Sequence, residues 1–372
     1  MNCLLLHTLK HCCIGGMMEA SEAYRKAGVD TAEGQRFVAR IKDSVKSTHT
    51  EHVLENYGNF SGLFDVSFLK NYKQPILLSA TDGVGTKLKL ASLFNRHDIT
   101  GIDLVAMCSN DILVSGGKPL FFLDYISCGK LNSDIMTQVV ESISEGCRRC
   151  GAALTGGETA EHPDTMNPDE YDLGGFMVGC VEKDDLIDGR SITENDVIIS
   201  VPSSGIHSNG LSLVRKLFLK NGLELPDSGE DKNFLLNEIL LRPTVIYEKA
   251  LRPVLEKGKH IKGIVHITGG GFYENIPRIL PDNMTALIKR KDLSIPSLFS
   301  TIQKKGALDE KDLFSVFNMG TGLTVFTSRE DAPEVIKSIQ EELLKLPDRL
   351  LGETQIIGSV IHKKGAPGVI IE

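Results

Sequence analysis

No stretch of this chain reaches the ~18–20 consecutive apolar residues of a membrane span. Positive charge is not in excess either: 41 Lys+Arg stand against 49 Asp+Glu, a net charge of −8. The first absence argues against a membrane protein. The second argues against a nucleic-acid or membrane-surface protein, which would need a basic face. It does not forbid anionic substrates, because a bound metal and local N–H clusters reverse the sign of a single cleft. The 8 cysteines lack the density of a disulfide scaffold, which fits a reducing cytoplasm. Cys147-x-x-Cys150 has no second pair to complete a four-ligand zinc site. No tandem repeat recurs at a solenoid period. The first 16 residues carry neither a signal-length apolar run nor the arginines of a transit peptide. A disordered lead-in over 1–20 is expected.

With 372 residues and 41% hydrophobic content, the chain is long enough for two ordinary domains. The polar stretch 184–196 is the expected boundary, giving an N-terminal domain over 21–188 and a C-terminal domain over 189–372. Apolar runs alternate with helical spacing, so the expected class is α/β (α+β).

The central stretch is Ser79-Ala80-Thr81-Asp82-Gly83-Val84-Gly85-Thr86-Lys87. An apolar strand, Pro75 to Leu78, precedes it. Leu88, Leu90, Leu93 and Phe94 follow at helical spacing. Gly83 and Gly85 let backbone N–H groups approach a ligand, and a helix N-terminus favours an anion. Asp82 suits a divalent cation, and Thr86 and Lys87 a phosphate. The spacing is neither a Walker A loop nor G-x-G-x-x-G, so a plain glycine turn with surface charges is the competing reading.

Four further stretches carry candidate residues, three of them small-residue turns. Asn110-Asp111 sits in an otherwise apolar helix, where such residues are mediocre formers; Asp111 is either exposed or a second metal carboxylate. Gly156-Gly157-Glu158 follows the short strand Ala152 to Leu154 and reads as another acid-glycine turn. Ser133 is the expected N-cap of the helix between them. In the second half, His207-Ser208-Asn209-Gly210 precedes a helix, as cap or as substrate turn. His266 stands before Thr268-Gly269-Gly270-Gly271, a nest of N–H donors suited to an anion. A core role for His266 is the alternative.

Taken in order, these motifs closely resemble the phosphoribosylformylglycinamidine cyclo-ligase (aminoimidazole ribonucleotide synthetase) family. Also matching are Tyr24 with Ala27–Asp30, Gly101–Met107, Pro119–Tyr125 and Phe317–Gly320. The resemblance covers the chain from residue 22 onward. It implies two α/β domains, with the N-terminal halves of a homodimer forming a shared β-barrel and the C-terminal half an α/β sandwich. It implies ATP and Mg2+, with formylglycinamidine ribonucleotide as the substrate that is closed to aminoimidazole ribonucleotide. Carried over by position, Asp82, Asp111 and Glu158 are metal candidates. Gly83, Gly85, Thr86, Lys87 and Gly269 to Gly271 are ATP and phosphate candidates. His207, Asn209 and His266 are catalytic candidates, with Ser208 and Gly210 on the substrate. Related thiamine-phosphate kinases and selenophosphate synthetases are alternatives, although residues 56–64 hold no reactive cysteine. A non-enzymatic scaffold gives no use to four such turns.

Overall fold

A computed structural model describes residues 31–54, 61–258 and 260–372. The lead-in over 1–20, the Tyr24 to Asp30 match and positions 58–60 of the loop before β1 lie outside the described residues. The first half runs α1 (Thr31–Lys46), β1 (Pro75–Gly83), α2 (Lys87–Phe94), α3 (Thr100–Val114), β2 (Lys118–Cys128), α4 (Ser133–Cys150), β3 (Ala153–Glu161) and β4 (Tyr171–Glu182). The second half runs β5 (Val197–Pro202), α5 (Leu211–Phe218), α6 (Gly229–Phe234), α7 (Glu248–Glu256), β6 (Ile261–His266), α8 (Gly271–Asn275) and β7 (Met284–Ile288). It ends with α9 (Ser297–Gly306), α10 (Glu310–Val316), β8 (Thr321–Thr327), α11 (Ala332–Leu343), β9 (Gln355–His362) and β10 (Gly368–Ile371).

Two sheets result, in a mixed α/β architecture. The first has 4 strands in the order β1-β4-β2-β3, in which only β2 and β3 run parallel. The second has 6 strands in the order β10-β7-β9-β5-β8-β6, in which only β10 and β7 run parallel.

Alternation along the strands gives the first sheet two unlike faces. One packs Phe122, Ile126 and Met177 against Leu104, Cys108 and Ile112 of α3 and Val139 and Ile143 of α4. Helices α3 and α4 cross closely because Gly101 and Gly146 carry no side chain. A Cβ on Gly101 would overlap the Ile143 backbone nitrogen, and one on Gly146 would press on Val105. The other face bears Leu77, Phe176 and Tyr125, which are 61%, 49% and 40% exposed.

The halves share cores. Leu90, Ala91 and Ile99 pack with the second-half cluster around Phe272 and Phe317. Leu113 joins the cluster around Tyr247 and Val325, and Ile246 joins the first-half core. Each such fully buried aliphatic side chain contributes about 1.5–3 kcal/mol, so the halves hold a fixed relation across the site.

Three local expectations are corrected. Asn132, not Ser133, caps α4: its side-chain oxygen accepts from the N–H groups of Asp134 (3.0 Å) and Ile135 (3.2 Å). Strand β1 continues through Asp82 and Gly83, because Gly175 and Gly174 of β4 pair with them. Gly156 to Glu158 also lie within a strand, since β2 offers a parallel partner from Phe121 through Cys128.

Candidate active site

Three of the four small-residue turns meet. The turn from β1 into α2, the His207 to Gly210 turn and the start of the Thr268 turn face one another across a crevice of about 300 Å³. It is lined by Asp82, Gly83, Gly85, Met107, Asn209 and Thr268, among others. A larger cavity of about 860 Å³, which includes Glu182, Arg190, Arg252 and Lys262, holds none of the residues singled out from the sequence. The chemistry favours the smaller one.

Gly85 adopts φ +66°, which an L side chain resists, so the turn needs glycine there. Asp82 stands at the end of β1, and its carboxylate accepts from the Gly83 N–H at 2.7 Å. Burial pushes its pKa up, and the negative charge of Asp111 adds to this. Asp111 projects from α3 with its side chain 45% exposed. Two repelling carboxylates at one rim fit a hard divalent cation, which favours oxygen ligands and offsets their charge.

Glu158 does not join them. Asp82 pairs with Gly175, Gly175 with Asp124, and Asp124 with Gly157, so Asp82 and the Gly157–Glu158 position are three strand spacings apart. That is about 14 Å. Glu158 is also one residue out of that row, beside Tyr125 on the exposed face. Among the described residues no group of three or more His, Cys, Asp or Glu side chains is placed to hold a metal.

Lys87 does not point into the crevice either. Its ammonium is buried, 2.7 Å from Asp103 Oδ2, and donates to the Arg242 carbonyl at 3.1 Å. A lysine at the start of a helix reads as phosphate-facing from sequence, but Asp103 on α3 gives it a buried counter-charge instead. The other Asp103 oxygen accepts from the Thr244 N–H (2.7 Å), the Thr244 hydroxyl (2.8 Å) and the Ser208 hydroxyl (3.3 Å). Thr86 stays at the surface, its hydroxyl 3.4 Å from that of Ser212.

Across the crevice, His207 takes φ +59° and is buried. Its Nε2 accepts from the Ser204 N–H at 3.4 Å, while Nδ1 is buried without a hydrogen-bond partner. Burial drives its pKa well below the usual histidine value, and the charges of His266 and Lys87 push the same way. The neighbouring Asn209 Nδ2 is likewise buried and unpartnered. Asn209 lines the crevice, and an unpartnered amide there is what a polar ligand satisfies, whereas His207 lies buried behind Ser208 and Asn209. Gly210 needs to be glycine on two counts: φ is +74°, and a Cβ would strike the Phe317 ring.

His266 ends β6 with its side chain 3% exposed, and its Nδ1 lies 2.9 Å from Asp111 Oδ1. Asn110 Nδ2 lies 3.5 Å from its Nε2. A carboxylate only accepts and an amide nitrogen only donates, so the ring proton sits on Nδ1. Thr268 reaches the crevice, and Gly269 packs near Asn209. Gly270 and Gly271 have φ of +87° and +56°, and a Cβ on Gly271 would overlap the Phe314 carbonyl. Backbone conformation and packing therefore account for these two glycines without an anion.

Sequence reasoning passed over Asp103, Thr244, Tyr247 and Asp124. Asp124 is a buried carboxyl lying over Gly157, where a Cβ would collide with it. The one available signal was the Asn110-Asp111 pair in an apolar helix. The structure resolves it into a fully buried amide and an exposed carboxylate.

Known proteins resemble this chain over most of its length. The family model described as AIR synthase related protein, N-terminal domain, matches residues 67–181, and its C-terminal counterpart matches residues 193–365. A phosphoribosylformylglycinamidine cyclo-ligase from Leptospira interrogans serovar Lai is 51% identical over 324 residues, covering 87% of this chain and 93% of the relative. Another, from Oceanobacillus iheyensis, is 48% identical over 345 residues, covering 93% and 98%. Among solved structures, HypE of E. coli aligns with a TM-score of 0.65 at 17% identity, covering 91% of this chain and 93% of that one. A thiamine-monophosphate kinase from Stenotrophomonas maltophilia aligns at 0.62 and 16%, covering 90% and 96%. At those identities the two structures speak for the fold alone, and the near-half identity to the cyclo-ligases decides among the alternatives. The chain belongs to the phosphoribosylformylglycinamidine cyclo-ligase family.

Proposed function

We propose that the protein closes the imidazole ring of formylglycinamidine ribonucleotide, using ATP and yielding aminoimidazole ribonucleotide, ADP and phosphate in purine biosynthesis. Family membership supports the reaction. The observation that carries it to this site is the crevice joining Asp82 and Gly85 to Asn209 and Thr268. An amide oxygen is a poor leaving group. In the proposed sequence it attacks the γ-phosphorus of ATP and the bond to ADP breaks. The amine nitrogen then adds to the activated carbon, the carbon–oxygen bond breaks, and phosphate departs while the nitrogen loses its proton. Holding these atoms in line supplies much of the rate.

In this reading Gly85 and Thr86 present an N–H group and a hydroxyl to ATP phosphates, aided by Gly269 at the facing turn, and Gly83 leaves room for the ligand to approach the backbone. Asp82 and Asp111 would hold Mg2+, which offsets charge on the transferring phosphoryl group when bound. Lys87 acts by fixing Asp103 rather than by touching phosphate. Ser208 and Gly210 shape the substrate side. The unpartnered Nδ1 of His207 and Nδ2 of Asn209 would bind the polar substrate, and the His266–Asp111 pair would take up the amine proton.

A second copy of the chain is proposed to cover the outer face of the first sheet, where Leu77, Phe176 and Tyr125 are exposed. Contiguous apolar surface of this kind marks an interface, and closure with a second sheet would form the shared barrel. No described helix is long and apolar enough to cross a membrane. The five described cysteines are all buried and free, in keeping with a cytoplasmic setting.

The site assignment is tested by Asp82→Asn and Asp111→Asn. Each should lower turnover about 100-fold, the scale on which misplaced reacting groups act, with the thermal midpoint unchanged. Wild-type rates in both variants would remove the metal assignment.

A further inference from the structure

Residues 242–252 of the second half run beside α3 and are fastened to it at three heights. Near its start, Asp103 accepts from the N–H and hydroxyl of Thr244. In the middle, Asn110 Nδ2 donates to the Val245 carbonyl at 2.8 Å, and Asn110 Oδ1 accepts from the Tyr247 N–H at 3.1 Å. Past its end, Arg252 donates to the carbonyls of Gly116 and Gly117.

The same segment holds the substrate turn. The Ser204 hydroxyl donates to the Pro243 carbonyl. The Tyr247 hydroxyl donates to the Pro202 carbonyl at 2.8 Å, and its ring centroid lies 6.3 Å from that of His207. Gly322 leaves room for both: a Cβ there would collide with the Tyr247 hydroxyl and crowd His207 Cε1. Asn110 therefore touches the backbone that carries Tyr247 and also faces His266. A buried amide is costly unless satisfied, and packing alone would be met as well by an aliphatic residue.

We propose that Asn110 and Tyr247 are positioning residues for ring closure, holding His207 and His266 at a set separation across the crevice. This rests on the cyclisation reading and deepens it. Neither residue needs to touch substrate. Asn110 fixes the course of residues 245–247 and meets His266 at Nε2, and Tyr247 passes that placement to His207.

The test uses the full chain with Asn110→Ala and Tyr247→Phe. Product formation is measured per folded molecule, the folded fraction being read by circular dichroism at the assay temperature. Asn110→Ala should lower kcat about 10–100-fold while leaving the KM for ATP within about twofold. Tyr247→Phe, which keeps the ring and the N–H, should lower it less. The double variant should lose less than the product of the two single losses. Imidazole NMR gives a readout independent of turnover: the ring resonances of both His207 and His266 should shift in Asn110→Ala, and those of His207 in Tyr247→Phe. A merely structural role would shift the melting midpoint and leave kcat per folded molecule at the wild-type value, which overturns the proposal. Unshifted His207 and His266 ring resonances in Asn110→Ala also overturn it. A wild type that makes no aminoimidazole ribonucleotide instead refutes the cyclisation reading, and the NMR result still decides whether Asn110 orients His266.

Discussion

The ammonium of Lys87 lies 2.7 Å from the carboxylate of Asp103, and neither side chain touches solvent. Their pairing ties the first turn of α2 to α3, and Asp103 passes the tie to Thr244 and Ser208. Removing one partner leaves a buried charge uncompensated, which costs about 3–5 kcal/mol. Lys87→Met should therefore lower the unfolding free energy read from urea titration by that amount. Adding Asp103→Asn should return part of the loss, because no bare charge then remains. Equal stability of Lys87→Met and wild type would mean that the pair is solvated.

At the crossing of α3 and α4, Gly101→Ala should destabilise the protein by about 1–3 kcal/mol or more, the usual range for overpacking. The added methyl meets backbone at Ile143, which cannot swing aside as a side chain end would. Differential scanning calorimetry reads the shift, and an unchanged midpoint would show that the helices separate freely.

The buried carboxyl of Asp124 is pushed up to about 7, chiefly by burial, with the charge of Glu158 adding to it. Folded and unfolded chains both keep this proton in strong acid. As pH rises from about 4 to 7 the unfolded chain gives it up first, so stability falls across that window. The full cost, roughly 4 kcal/mol, is present above pH 7. Asp124→Asn should flatten this part of the stability–pH profile and gain most at pH 8. Parallel profiles for variant and wild type would show that Asp124 ionises as readily in the folded protein.

On the outer face of the first sheet, Phe176 is 49% exposed at mid-strand. If a second copy covers it, Phe176→Asp buries a charge at the interface and should shift sedimentation equilibrium from dimer to monomer at micromolar concentration. The far-ultraviolet spectrum should not change. A wild type that sediments as a monomer contradicts the interface.

Local pattern was enough to locate most strands, the α4 terminus at Gly151, and three turns that line one crevice. It also singled out Asp82 and Asp111 as candidates for one site, and the two carboxylates lie close enough for the charge of one to act on the other. It misled at Glu158, because an acid-glycine run reads as a turn until a parallel neighbour draws it into a strand. It misled at Lys87 for a related reason: its partner Asp103 lies 16 residues away, on the next helix. Tyr247 and Thr244 carry no local signal, since their importance comes from contacts with residues more than 35 positions distant. Periodicity reports which face of an element is buried; it does not report what that face meets.

The central claim is tested most directly by incubating the full chain with Mg–ATP and formylglycinamidine ribonucleotide and assaying aminoimidazole ribonucleotide. Product should appear in step with ADP and phosphate, one of each per ring closed, and ATP should be spared without the ribonucleotide. ATP turnover that ignores this substrate and responds to thiamine phosphate would contradict it.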